Sequence, residues 1–254
     1  MTATGSITRI GLLSMVALVA VGGTRLVHGS LVSHHTDRAT YGTVGIMLAA
    51  TTVASLVMPG GLSSAMAKFV AFHRGAGDLP AARAVHRFLS RLAVASSVLL
   101  GIVAAGAVAA LYRTGAADTL AVGLLTVAYS LYTVDKAALY GFSRVPPYVR
   151  LELSTSALAI AGTVLVVAAG WHGYLLPLVL GYGLFVLGAR WLVRADTAGP
   201  VGDPGSFSAG RILKAAERAF SAISDHRPAL FASSYQDLGG AKGESRAPTF
   251  GSAA

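Results

Sequence analysis

The chain has 254 residues, of which 54% are hydrophobic and only 12% charged, and its mean hydropathy is +0.64. A soluble domain carries about 25% charged residues, so this chain has half the supply of a water-soluble surface, and its lack of cysteine excludes disulfides, thiolate metal sites and cysteine nucleophiles. Residues 1–194 hold fourteen Lys and Arg against five Asp and Glu, while residues 195–254 hold six of each; the net charge of +9 therefore belongs to the hydrophobic part, which argues against a basic nucleic-acid-binding tail and predicts no nucleic acid among the partners.

Crossing the hydrocarbon core takes about 20 mostly apolar residues. Six stretches meet that length in chain order: Ile10–Val32, Tyr41–Ala67, Leu89–Tyr112, Thr119–Phe142, Leu151–Gly170 and Tyr174–Val193. None alternates with period 2, so helices rather than barrel strands are expected. The first stretch outruns a signal-peptide apolar region and is interrupted by Arg25 and His28, so it reads as a retained helix. In the second, Pro59 followed by Gly60 and Gly61 predicts a kinked or loosened hinge inside the helix. Pro146-Pro147 sits where the fifth helix begins, ahead of its apolar span, and Pro177 falls in the first turn of the sixth, where a missing N–H costs nothing.

Lys and Arg at the span ends set orientation. With the N-terminus inside, eleven basic residues lie on the cytoplasmic side: Arg9, Lys68, Arg74, Arg83, Arg87, Arg91, Lys136, Arg144, Arg150, Arg190 and Arg194. Arg38 and Arg113 lie opposite, so both termini are expected in the cytoplasm. The second and third spans run past the bilayer, and Lys68, Arg74, Arg83, Arg87 and Arg91 mark a protruding basic hairpin. Two roles fit it: attraction to anionic headgroups with topology setting, or a docking site for a partner or a substrate headgroup. From Ala195 the chain turns Gly-, Pro- and Ser-rich and reads as a largely disordered cytoplasmic tail, with one short amphipathic helix over 211–225.

The fold class expected is therefore an all-α membrane protein, a six-helix bundle over 1–194 and a polar tail over 195–254. There is no P-loop and no complete nucleophile elbow, so no enzymatic constellation and no cofactor are expected. His34, His35 and Asp37 lack a third well-placed metal ligand, and no metal site is expected. Ionisable residues at membrane depth are the candidates that remain. Arg25 lies about 24 Å along the helix from Arg9 at about 1.5 Å per residue, with His28 on a neighbouring face. It fits either an anion such as phosphate or an acidic sugar in a water-filled cavity, or snorkelling to the outer headgroups. Asp135 and Lys136 point about 100° apart on their helix. Each meets another helix or sits at the interface, the interface being the expectation, as it is for Arg144, Arg150 and Glu152. On this reading Asp135 is the one acid well inside a span, which weighs against cation antiport.

The strings T-Y-G-T-V-G-I at Thr40–Ile46, P-G-G-L-S-S-A-M-A-K-F-V at Pro59–Val70, R-G-A-G-D at Arg74–Asp78 and A-L-Y-G-F-S-R-V-P-P-Y at Ala138–Tyr148 together resemble the N-terminal half of polysaccharide-biosynthesis membrane proteins. These are the lipid-linked oligosaccharide flippases of the multidrug/oligosaccharidyl-lipid/polysaccharide exporter superfamily. The resemblance covers about residues 6–194. It implies an inner-membrane transporter that flips a polyprenyl-pyrophosphate-linked glycan by alternating access, with basic residues meeting the anion; Arg25 matches that pattern and Lys136 matches it less well. Full members have two six-helix bundles and this chain has one. The expected partners are therefore membrane lipids, a lipid-linked glycan and either a second copy or a separate half, unless the chain is a truncated form. The competing expectation is a non-transporting scaffold of an envelope polysaccharide assembly, docking partners on the basic hairpin.

Overall fold

A computed structural model describes residues 3–57 and 59–198, so the tail and its 211–225 helix lie outside the described residues. Every regular element described is a helix, seven in all: α1 (Ala3–His35), α2 (Arg38–Val57), α3 (Pro59–Gly75), α4 (Leu79–Tyr112), α5 (Ala116–Gly141), α6 (Val145–Ala168) and α7 (Leu176–Thr197). Six of them, α3 excepted, are long and apolar enough to cross a membrane. Large apolar side chains such as Leu18, Val53, Leu99, Ile102, Leu165 and Leu187 stand exposed on their outer faces, as expected where the surrounding solvent is hydrocarbon.

The second expected span is the one the structure redraws. Tyr41–Ala67 is not one kinked helix: α2 ends at Val57 and Pro59 opens α3. A proline has no N–H to give the carbonyl four residues back, and its ring clashes with that carbonyl. With Gly60 and Gly61 following, both weak helix formers, the continuous ladder fails. Pro59 is buried, while Gly60 and Gly61 are partly to fully exposed.

The other boundaries move by up to ten residues, the most at the start of α4. Helix α4 starts at Leu79, where Asp78 Oδ1 accepts from the Ala81 backbone N–H at 3.0 Å and Pro80 occupies the first turn. Its 34 residues span about 51 Å at about 1.5 Å per residue, well beyond the hydrocarbon core. Val145-Pro146 and Leu176-Pro177 open α6 and α7.

Helix α5 is the hub, packed by α2, α3, α4 and α7; α6 lies against α7, and α1 packs chiefly on α6. Close approach at the α4–α5 crossing rests on Gly101 and Gly123, where an added Cβ at Gly101 would stand 2.9 Å from the Gly123 carbonyl oxygen. An apolar layer of Val32, Val44, Met47, Val122, Leu125 and Leu178 joins α1, α2, α5 and α7.

The links between helices fall at two ends. One end carries residues 36–37, 113–115 and 169–175; the other carries Ala76–Asp78, Phe142–Arg144 and the C-terminus of α7. They are called the Asp37 end and the Arg144 end below.

Candidate functional site

A polar seam runs through the apolar bundle where α1, α5, α6 and α7 meet. Arg25, on α1, reaches across to two other helices. Its Nε donates to the Tyr182 hydroxyl on α7 at 3.2 Å, and its guanidinium carbon lies 4.4 Å from the centre of the Tyr129 ring on α5. The guanidinium also interacts with the Tyr129 side chain by hydrogen bonding. Arg25 is therefore anchored inward by Tyr182 and Tyr129 rather than extended to an interface.

Three helical turns deepen the seam with tyrosine. Tyr182 stacks obliquely on Tyr129 and Tyr132, with centroids 5.1 and 4.9 Å apart, and Tyr132 meets Phe185 edge-on at 4.7 Å. The Tyr132 hydroxyl donates to Glu152 Oε2 on α6 at 3.0 Å. Lys136 places its ammonium 5.7 Å from the Tyr132 ring and 5.6 Å from the Tyr148 ring. Glu152, Thr24, Thr155, Ser156 and Tyr182 line one small cavity. This is a chain of contacts from guanidinium to phenol to phenol to carboxylate, all within spanning helices.

His28, one turn beyond Arg25, is 1% exposed, and its Nδ1 lies 3.0 Å from Thr163 Oγ1. The Thr163 hydroxyl already donates to the Ala159 carbonyl at 2.8 Å, so it accepts from His28 Nδ1–H. That assigns the tautomer and leaves Nε2 as an acceptor with no hydrogen-bond partner among the described residues.

Several expectations change here. Asp135 meets another helix: it is 4% exposed and accepts from Arg190 Nε on α7 at 3.0 Å. Glu152 is buried between helices as well, at 2% exposure. The bundle therefore holds two buried acids, not the single Asp135 expected, because the face of α6 that carries Glu152 is turned onto α5 and α7. Lys136 joins the Arg25 seam through Tyr132, whereas Asp135 is committed to Arg190.

The basic hairpin is not free-standing. Arg74 donates to the Ser143 hydroxyl, Arg83 Nε to the Asp196 carbonyl at 2.8 Å and Arg87 to the Thr197 carbonyl at 3.3 Å. His86 packs edge-on against Phe142 with centroids 5.6 Å apart. The start of α4 is thus tied to the end of α7, while Lys68 and Arg91 stay exposed. Arg144 grips Asp196 through Nε and Nη2 at 2.8 and 2.9 Å, and this carboxylate pushes the guanidinium pKa up from its ordinary value. His34 and His35 turn back on α1, bonding the Ser30 and Leu31 carbonyls at 2.8 and 2.9 Å.

Glu152, Tyr129, Tyr132 and Tyr182 were not among the candidates read from sequence. The available signal was the spacing of polar positions within apolar spans: Tyr129, Tyr132 and Lys136 at i, i+3, i+7, and Tyr148, Glu152 and Thr155 at i, i+4, i+7, each set on one helix face.

No protein-family model, curated protein or solved structure matches the chain.

Proposed function

We propose that the chain is a transporter module of the polysaccharide exporter or flippase type, moving a lipid-linked anionic glycan across the plasma membrane by alternating access. On this reading the Arg144 end faces the cytoplasm, and a second bundle, from another copy or a separate chain, completes the cavity.

The observation that carries the reading is the state of Arg25. Its guanidinium is held in the seam by the Tyr182 hydroxyl and by Tyr129, and it pairs with no acid among the described residues. A guanidinium held this way at membrane depth offers a preoriented pair of donors for one phosphate or carboxylate. Aromatic faces beside it suit the apolar C–H faces of sugar rings. The scaffold alternative is weakened because Arg74, Arg83 and Arg87 are engaged with acceptors of their own bundle, leaving less of the hairpin for a partner.

The test is binding of a polyprenyl-pyrophosphate-linked sugar to the protein in nanodiscs. A charge-assisted bidentate contact is worth about 1.5–3 kcal/mol, so Arg25→Gln should weaken binding by roughly tenfold to a hundredfold. Arg25→Lys, which keeps the charge but not the fork, should fall between. Equal affinity for wild type and Arg25→Gln at equal folded protein removes Arg25 from the mechanism and the anion from the reading.

A further inference from the structure

The two ends of the bundle are held differently. At the Asp37 end, the outermost side-chain hydrogen bonds stay within a few residues of chain, His34 to Ser30, Asp37 to Ala39 and Thr40, Thr114 to Thr119, and the neutral His28–Thr163 contact joins α1 to α6 about two turns in. At the Arg144 end they cross between elements. Arg74 reaches Ser143, Arg83 and Arg87 reach the last two residues of α7, and Arg144 clasps Asp196 with two parallel bonds. One and a half turns before Asp196, Arg190 ties α7 to Asp135 of α5. Both salt bridges found among the described residues fasten α7, and both lie toward this end.

The Asp37 end, by contrast, opens. A crevice of about 660 Å³ separates the first turns of α2 from the 172–176 segment, with Thr40, Thr43, Met47, Asp118, Leu124 and His172 among its walls. Its floor is α5. One turn deeper on α5, Leu125 gives way to Tyr129, and one turn deeper on α7, Leu178 gives way to Tyr182. The apolar layer containing Met47, Leu125 and Leu178 is thus what lies between the crevice and the Arg25 cluster.

We propose that Arg144 and Asp196 form an ionic gate that shuts the Arg144 end of the bundle, and that the crevice at the Asp37 end is the mouth through which ligand reaches Arg25. The gate is built at the point where the negative end of the α7 dipole meets three guanidiniums, so the charge of Asp196 adds to a field already favouring closure. It is also built to open. The Arg144 and Asp196 side chains are 43% and 26% exposed, and a screened pair of that kind shifts an equilibrium by about fivefold rather than a thousandfold. Opening would lift the last turn of α7 away from α4 and from the 142–144 turn. This inference rests on the transport reading, but its test involves no substrate, so the gate can fail while the Arg25 binding test stands, and the reverse.

The chain has no cysteine, so single-cysteine reporters label without background. Thr43→Cys reports the mouth; Val193→Cys, at a buried position one turn before Asp196, reports the closed end. With a water-soluble maleimide, wild-type gating predicts rapid labelling at 43 and slow labelling at 193. Asp196→Asn and Arg144→Gln should each raise the rate at 193 by about fivefold or more and lower it at 43, whereas Asp196→Glu should keep 193 protected. Raising salt should increase labelling at 193 while Asp196 is present and have no effect in Asp196→Asn; this arm uses the unaltered gate and decides the matter even if a variant folds poorly. Equal labelling at 43 and 193 with the gate intact, or protection at 193 that neither salt nor Asp196→Asn changes, overturns the proposal.

Discussion

The Asp135–Arg190 pair is asymmetric, and the asymmetry has a measurable consequence. Asp135 is 5% exposed at its side chain and Arg190 43%, so the acid is inside the bundle and the base reaches out toward its end. Arg190→Met strands a buried carboxylate. Breaking a fully buried pair in this way costs about 3–5 kcal/mol; because Arg190 is well exposed, solvent already screens part of the attraction, and about 2 kcal/mol is expected. Asp135→Asn removes the acid instead, keeps the shape of the side chain and leaves Arg190 to water, at a cost under about 1 kcal/mol. The double variant Asp135→Asn with Arg190→Met should then be more stable than Arg190→Met alone, close to Asp135→Asn. Reversible unfolding of the detergent-solubilised protein, read as helix content or as a thermal midpoint, orders the three variants. Equal costs for the two single changes, or a double variant as unstable as their sum, would refute the assignment of burial to the acid side of the pair.

Two further stability predictions follow from close approaches. An added Cβ at Gly101 would lie 2.8 Å from Val127 Cγ2 and 2.9 Å from the Gly123 carbonyl oxygen, whereas one at Gly106, on the same helix, meets nothing within 4 Å. Gly101→Ala should therefore destabilise by about 1–3 kcal/mol, exceeding the gain of about 1 kcal/mol in helix propensity, while Gly106→Ala is neutral or slightly stabilising; matching melting points would contradict the close crossing. At the seam, Tyr132→Phe takes a donor from buried Glu152 and should cost about 1–3 kcal/mol. Glu152→Gln keeps an acceptor for Tyr132 and should cost less, and a reversed order in thermal midpoints would show that the Tyr132–Glu152 bond is not what stabilises this contact.

Spanning helices are legible in sequence because lipid imposes one requirement on all of them, a long apolar stretch with its backbone bonds closed internally. That requirement is local, so the existence of six apolar stretches could be read, and the prolines at 146 and 177 fell in the first turns of α6 and α7. The division of Tyr41–Ala67 was harder to read. Pro59 breaks the ladder, but proline is tolerated in spanning helices when neighbours satisfy the freed carbonyls, and nothing in the local string says whether they do. The seam was less legible still. Arg25 stood out because it is charged inside an apolar run, yet which groups it meets depends on how α1 lies across α5 and α7, residues more than a hundred positions away. Glu152 was misplaced for a related reason: as the second residue of the expected span Leu151–Gly170 it reads as interfacial, and only the rotation of α6 turns it onto Tyr132.

The same distinction applies to the basic residues, and it changes what their number means. Counting Lys and Arg near span ends treats each as a free charge attracted to one side of the membrane. Five of the eleven so counted have a second occupation: Arg74, Arg83, Arg87, Arg144 and Arg190 each donate to an acceptor on another helix or turn. Four of these contacts end on or begin from α7. A guanidinium is suited to both tasks, since its fork can hold a carbonyl or carboxylate while its stem lies along apolar surface. Charge asymmetry can thus arise partly from the need to fasten one end of a helix bundle. Neutralising these five should disturb the packing of α7 before it disturbs topology, whereas neutralising the exposed Lys68, Arg91, Arg150 and Arg194 should leave α7 in place.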